Sequence, residues 1–287
     1  MKNSTFKEYF KQIDLKSWLD FKSKVDSFKL EWIYRGQANA SWDLSSSLER
    51  SSMTEIEHNI EEVFITEYKK AISSFPDYSG TPETNLEWLS LLQHHGTPTR
   101  LIDFTHSPYI AAYFAFQEEA IDKSEPVAIW CVNRIRFYQG ALYYLKKNFD
   151  VLAYIDRRYL FSESTFEELF RRAGLDCVMP FDPANANQRQ LIQQSVFLAA
   201  MNPEKRFIDQ LAFLDYQEKP VVTKLTIPGS ERKIALRDLM KMNITHATLF
   251  PGIDGFARSL NLKYSTLATL GEIGGWIQDL KRDGFVT

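Results

Sequence analysis

The run Leu92-Gln93-His94-His95-Gly96-Thr97-Pro98-Thr99-Arg100-Leu101-Ile102-Asp103-Phe104-Thr105 gathers two imidazoles, a guanidinium, a carboxylate and several hydroxyls around one glycine and one proline. It then enters the apolar segment Ser107 to Phe116. A packed core has no use for that chemistry, and a solvated loop would not be flanked so closely by apolar residues. Convergent polar groups on a short turn are what a binding or catalytic cleft requires. Upstream, in Trp32-Ile33-Tyr34-Arg35-Gly36-Gln37, an arginine closes an apolar, strand-like run. Its planar fork can grip a phosphate or carboxylate bidentately, or it can pair with a carboxylate of the protein at a strand end. Both roles fit the pattern.

The central run also has two readings. Thr105 and Ser107, with the free amides of the helix that follows, can offer donors to an anionic ligand. Alternatively, His94 caps a carbonyl and Asp103 holds Arg100 in a local ion pair. Farther on, Arg189-Gln190-Leu191-Ile192-Gln193-Gln194-Ser195-Val196-Phe197 is ambiguous between helix and strand. As a strand it would place Gln193, Ser195 and Phe197 on one face, as a site or simply as an exposed polar edge.

Familiar cofactor signatures are missing. The chain has no GxGxxG or GxxxxGK[ST] run, and neither HExxH nor CxxC. His94 and His95 are adjacent, which points two rings apart on a helix, and the chain has five histidines. No metal is expected.

These groups need elements to hold them. Trp18, Phe21 and Val25, at spacings of three and four, predict an amphipathic helix near the N-terminus. Glu31 to Gly36 reads as a strand, and Met53 to Ser74 as a helix with Ile56, Ile60, Val63, Phe64, Tyr68 and Ile72 on its stripe. Leu86 to Gln93 reads as a helix stopped by Gly96 and Pro98, and Arg100 to Phe104 as a short strand. Ser107-Pro108 suits a helix start, with a hydroxyl to cap free amides and a proline in the first turn. Val127 to Val132 is the clearest buried strand, Val221 to Ile227 another, and Arg232 to Met242 a helix. A loop at Thr248–Gly255 opens a helix from Phe256 to Leu262, and Arg136 to Ala173 is mainly helical. Strands and helices mix without a regular βαβ rhythm. The expected fold class is α+β, with mixed or antiparallel central sheets and flanking helices. One domain is expected, with a core at about 31–262, an N-terminal helical segment (1–30) and a C-terminal tail (263–287).

The 287 residues suffice for a substantial core, and 44% hydrophobic with 25% charged content suits a soluble globular chain. A net charge of −3 argues against a broad basic surface for duplex DNA. Cys131 and Cys177 are too few and too scattered for a disulfide framework and are expected as buried thiols. The polar residues at Met1–Lys11 do not resemble a signal peptide, and no apolar run reaches the roughly 18 residues of a membrane span. A cytoplasmic location without membrane contact is expected.

Tyr34-Arg35-Gly36-Gln37 with Trp42 and Leu44, the run Gln93 to Thr105, and Ala112-Tyr113-Phe114-Ala115 together resemble the FRG domain, named for its Phe/Tyr-Arg-Gly motif. Asn187, Arg189, Gln193 and Phe197, and the run Leu249-Phe250-Pro251-Gly252-Ile253-Asp254-Gly255, are similar to that family's C-terminal half, so the likeness spans about Glu31 to Leu260. His95 and Phe104 stand where the family would have Tyr and Trp, and Ser195 where it would have Gly.

More distantly, an Arg-Gly ending a first strand, then a strand ending in hydroxyls before an Ala/Phe-rich helix, is similar to ADP-ribosyltransferases of the Arg-Ser-Glu type. That likeness implies an ADP-ribosyltransferase-like cleft with NAD as substrate. In it Arg35 would clamp the pyrophosphate, His94 orient the adenylate or ribose, and Thr105 brace the nicotinamide side. Asp103 would organise Arg100 or act on the ribose, and Gln193 would touch the ribose or acceptor. The implied binding set is Tyr34, Arg35, Gly36, Gln37, Gln93, His94, Arg100, Thr105, Ser107 and Arg189.

The third element of such enzymes, a late-strand Glu, has no counterpart, because Gln193-Gln194-Ser195 stands there. An amide cannot supply the negative charge that steadies a developing oxocarbenium ion. Either another acid serves, Asp103 or one of Glu163, Glu167 and Glu168, or the site binds a nucleotide without efficient turnover. The likeness thus implies a transferase or NAD glycohydrolase that passes ADP-ribose to a protein, a nucleic acid or water. Its counterpart is a non-catalytic module that binds a nucleotide, nucleic acid or protein in the same cleft. A bacterial toxin or phage-defence setting accompanies the resemblance.

Overall fold

The computed structural model describes residues 10–74, 82–118, 125–148, 163–170, 175–183, 185–216, 221–263, 275 and 278–284. Most of the loop expected at Pro76–Pro82, much of the helical stretch expected up to Ala173 and most of the tail after Tyr264 lie outside the described residues.

In chain order the elements are β1 (Phe10–Asp14), α1 (Trp18–Asp26), β2 (Trp32–Gln37), α2 (Ser47–Ser51), α3 (Ile60–Ala71) and α4 (Asn85–His94). Next come β3 (Leu101–Thr105), α5 (Pro108–Phe116), β4 (Val127–Asn133), α6 (Arg134–Asn148), α7 (Glu163–Phe170) and β5 (Val178–Phe181). The chain continues through α8 (Gln188–Ile192), β6 (Ser195–Ala200), β7 (Val222–Ile227), α9 (Arg232–Lys241), α10 (His246–Leu249) and α11 (Ile253–Leu262). The strands form one seven-stranded mixed sheet in the order β1-β7-β4-β2-β3-β6-β5. Only β1 and β7 run parallel; every other neighbouring pair is antiparallel. The fold class is α+β, as expected.

The sheet is held together unevenly. β2 pairs with β4 over six residues, from Trp32↔Asn133 to Gln37↔Ala128. Against β3 it makes a single pair, Tyr34↔Thr105. Beyond that pair the two strands part, so the sheet opens into a four-stranded half and a three-stranded half. Arg35, Gly36 and Gln37 continue along one lip, and Asp103 and Phe104 along the other.

Two cores follow from the alternation of side chains across β2. Ile33 faces one, with Trp130, Val132, Phe104, Leu198 and residues of α4, α6 and α7. Tyr34 faces the other, with Trp18, Phe21 and Val25 of α1 and the apolar faces of α5 and α9. α5 is buried on almost every side, and Gly36 is why it fits. A Cβ at Gly36 would stand 1.9 Å from the Ala111 carbonyl oxygen and 2.7 Å from the Ala115 nitrogen. The glycine of the Arg-Gly pair thus lets a helix lie directly on β2.

Local signals explain the element ends. Ser107 caps α5 by accepting from the Ile110 amide, with Pro108 in the first turn. α4 begins with a Thr84–Glu87 capping box. It ends in a Schellman turn, in which the Thr97 amide bonds the Leu92 carbonyl, the Gly96 amide bonds that of Gln93, and Gly96 takes φ +87°.

Other details depart from the sequence pattern. The N-terminal segment, expected as helical, also supplies edge strand β1. The ambiguous Arg189–Leu198 run divides into α8 and β6, with Gln193 as the C-cap of α8 and Gln194 at φ +50° between them. Gln193 is therefore not a strand residue sharing a face with Ser195 and Phe197. Cys131 and Cys177 are buried free thiols, and burial pushes both pKa values up. No helix among the described residues is long and apolar enough to cross a membrane.

Candidate functional site

The opening between β2 and β3 widens into a cleft of about 820 Å³. That lies within the roughly 300–1,000 Å³ common for small-molecule sites. β2 contributes Tyr34 to Gln37, and β3 contributes Asp103 to Thr105. Ala111, Phe114, Gln117 and Glu118 come from α5 and its end. The segment after β2 brings Ser41, Trp42, Asp43 and Ser45, α2 brings Arg50, and the α8–β6 junction brings Arg189, Gln193 and Ser195.

Arg35 spans the opening. Its Nη1 donates to the Asp103 carbonyl oxygen at 2.8 Å, while its Nε is buried and finds no partner among the described residues. Burial holds its pKa below the ordinary arginine value; Asp103 opposes that shift and Arg50 adds to it. An arginine keeps its charge in such surroundings, so the cost of the buried, unpaired donor stays with the free protein. An anion or polar ligand group that reaches Nε removes that cost.

Arg189 is the second cation. Burial again lowers its pKa, with Asp103 opposing. Asp103 is exposed on its strand and is the negative charge that both arginines share. Arg50, the third, donates to the Ser45 carbonyl and hydroxyl at 2.7 and 3.2 Å.

Thr105 is buried, donating its hydroxyl to the Gln193 carbonyl at 2.7 Å and accepting from the Ser107 amide at 3.1 Å. Its role in the free protein is to join β3 to the α8–β6 junction. Gln193 donates from Nε2 to the Leu249 carbonyl at 3.0 Å. Gln37 is also engaged, accepting from Trp130 Nε1 at 2.6 Å and donating to the Asp43 carbonyl at 3.1 Å.

The cleft therefore brings together Tyr34, Arg35, Gly36, Gln37, Asp103, Thr105, Arg189 and Gln193. Gln93, His94, Arg100 and Ser107 stand elsewhere. Arg100 does not pair with Asp103. It is buried against Glu61, with Nε 2.5 Å from the carboxylate, and its guanidinium lies 4.5 Å over the Phe170 ring. On extended chain, positions three apart point to opposite faces, which separates the two residues. Gln93 accepts from the Thr99 hydroxyl at 2.5 Å and steadies the turn after α4. Ser107 is spent as the α5 cap.

His94 is exposed and does not line the cleft. Partial burial, then the nearby charges of Arg189 and His95, lower its pKa. The two imidazoles are not splayed apart but meet edge to face at 5.0 Å, because His95 is the helix cap and has left the helical path.

Of the acids considered for the missing Glu, only Asp103 is in the cleft. Glu167 accepts from the Asn85 side chain and the Asn85 and Leu86 amides at the start of α4. Glu163 and Glu168 lie on α7, away from the cleft. Sequence reasoning missed Glu118 and Arg50 altogether and left Trp42 without a role. Trp42 was named only within the family resemblance; the structure leaves it half exposed on the cleft wall. No group of three or more His, Cys, Asp or Glu among the described residues is placed to hold a metal ion.

No curated protein and no solved structure matches the chain, so neither comparison supplies an ADP-ribosyltransferase likeness. The matched family region carries Arg35, Asp103 and Thr105 but ends before Arg189, Gln193 and the Leu249–Gly255 run. Residues 30–124 of this chain match the family model of the FRG domain.

Proposed function

We propose that the cleft binds NAD and that the protein is an ADP-ribosyltransferase-like enzyme, cleaving the nicotinamide–ribose bond and passing ADP-ribose to a macromolecule or water. The reading rests above all on the half-buried Arg35, whose guanidinium crosses the opening to the Asp103 carbonyl while its buried Nε has no partner among the described residues. Arg35 and Arg189 suit a pyrophosphate, whose charges two guanidinium forks can share. In the reaction the C1′–N bond breaks and its electron pair leaves with nicotinamide. An oxygen of the acceptor bonds C1′ and releases its proton to solvent. Asp103, exposed and facing the cleft, takes the role of the absent late-strand acid by placing negative charge near the developing cation. Glu118 is a second carboxylate on the same wall.

One observation favours a second reading, a module that binds a nucleotide without turning it over. β6 opens with Ser195, and the preceding Gln193 amide is already bonded to Leu249. Nicotinamide release by the purified protein separates the two. The enzyme reading expects release that falls by about 100-fold or more in Arg35→Ala and Asp103→Asn. Tight calorimetric binding of ADP-ribose with no release supports the module, and neither binding nor release overturns both.

A further inference from the structure

The Leu249–Gly255 run lies outside the matched family region and does not line the cleft, yet it is built with care around Phe250. The Arg189 Cζ stands 4.4 Å over the Phe250 ring. The His246 ring stacks on the same phenyl group at 4.2 Å with 17° between planes, and Phe114 of the cleft wall meets it edge-on at 6.0 Å. His246 is in turn tied to the buried Tyr113 of α5, its Nδ1 lying 3.2 Å from the hydroxyl.

The backbone here is fixed as firmly as the ring. The Leu249 carbonyl accepts from Gln193, and the Phe250 amide donates to the His246 carbonyl at 2.9 Å. Gly255 packs so closely that a Cβ there would lie 1.7 Å from the Phe250 carbonyl oxygen. No other residue fits where α11 passes over Phe250.

Against this frame Arg189 is unusual. Among the described residues no carboxylate pairs with its guanidinium and no hydrogen bond from it is formed, although Asp103 is near enough for its charge to be felt. An aromatic face holds a guanidinium without consuming its N–H donors, whereas a carboxylate would occupy and neutralise them. We infer that Phe250 is a positioning residue, whose ring fixes Arg189 at the cleft wall with its donors free for the anionic part of the ligand. The ligand clause rests on the NAD reading above; the positioning itself does not.

The test uses the full chain and two readouts. Phe250→Leu keeps apolar bulk but removes the ring, and Phe250→Tyr keeps the ring. In the ligand-free protein, phenylglyoxal labelling of Arg189, followed by mass spectrometry, should quicken by about fivefold in the Leu variant and stay near wild type in the Tyr variant. Equal rates in all three overturn the positioning role. For ADP-ribose, Phe250→Leu and Arg189→Ala should each weaken binding, and the double variant should be no weaker than Arg189→Ala alone. Additive losses mean that Phe250 acts elsewhere and overturn the inference. Should the wild-type protein bind no ADP-ribose, the NAD reading fails, and the labelling rates still decide whether Phe250 holds Arg189.

Discussion

Arg35 reaches across the opened sheet to the backbone of Asp103, its Nη1 2.8 Å from that carbonyl oxygen. The bond joins two strands that share only the pair Tyr34↔Thr105, so it is both a clasp and the floor of the cleft. Because the acceptor is a carbonyl, the guanidinium keeps its charge unneutralised by direct pairing. The Asp103 carboxylate stays exposed toward the cleft.

Arg35→Lys tests that geometry. A lysine keeps the charge but cannot both hold the Asp103 carbonyl and present a planar fork to a ligand. Hydrogen bonds to charged groups contribute about 1.5–3 kcal/mol, so ADP-ribose affinity should fall by about 10- to 100-fold in calorimetric titration. Unchanged affinity would remove Arg35 from the ligand grip.

Arg100 belongs to the fold and not to the cleft, which gives a contrasting expectation. Glu61→Ala leaves the buried Arg100 guanidinium without its carboxylate partner. Breaking a buried pair from one side costs about 3–5 kcal/mol. Urea denaturation should show that loss. Ligand affinity of the folded fraction should remain as in wild type, because neither residue lines the cleft.

The contrast between these arginines shows where the sequence was legible. Arg35 stands in a strand-like run before a glycine, a local pattern that fitted a cleft and a structural ion pair equally well, and the structure places it on the lip of the cleft. The α1 stripe of Trp18, Phe21 and Val25 was directly readable, because helical spacing alone determines which face is buried. Arg100 was misread because its partner is 39 residues upstream on α3, while Asp103 is a tempting neighbour in sequence. Glu118 reaches the cleft from just past the C-cap of α5 and Arg50 from a five-residue helix, and neither position carries a periodic signal. β1 was missed because its short FKQID sequence is largely exposed at the sheet edge and lacks a clear apolar alternation.

Stability should depend on pH through the histidines. Burial is the first cause lowering the pKa of His94, His106 and His246; for His246 the charges of Arg258 and Arg189 add to it. The folded state therefore binds fewer protons than the unfolded chain below the ordinary histidine value of 6.5. Unfolding free energy is then full above that pH and falls as the pH drops from there toward the lowered folded values. Thermal melts from pH 7.5 to 5.5 should show a decreasing Tm, and His246→Gln should flatten the slope. A Tm that rises on acidification in this window contradicts the assignment.

The aromatic side of the cleft gives the sharpest test of what kind of ligand it takes. Trp42 is about half exposed, at 52%, and lines the cleft from the segment after β2. That segment is held by Lys224, a buried lysine of β7 whose Nζ donates to the Ala40 carbonyl at 2.6 Å and lies 4.5 Å over the Trp130 ring. Burial lowers the Lys224 pKa while Asp43 opposes the shift, and the hydrogen bonds of Nζ to the Ala40 and Trp42 carbonyls offset part of the cost of burying the amine. A base stacked on a tryptophan contributes about 1–3 kcal/mol. Trp42→Ala should therefore weaken AMP binding by about 5- to 100-fold and leave ribose 5-phosphate binding unchanged, since the sugar phosphate has no aromatic base to stack. Lys224→Met should produce the same selective loss at a distance, by releasing the carbonyls that set where Trp42 stands. If both ligands weaken equally in Trp42→Ala, the indole supports the cleft wall and does not read a base.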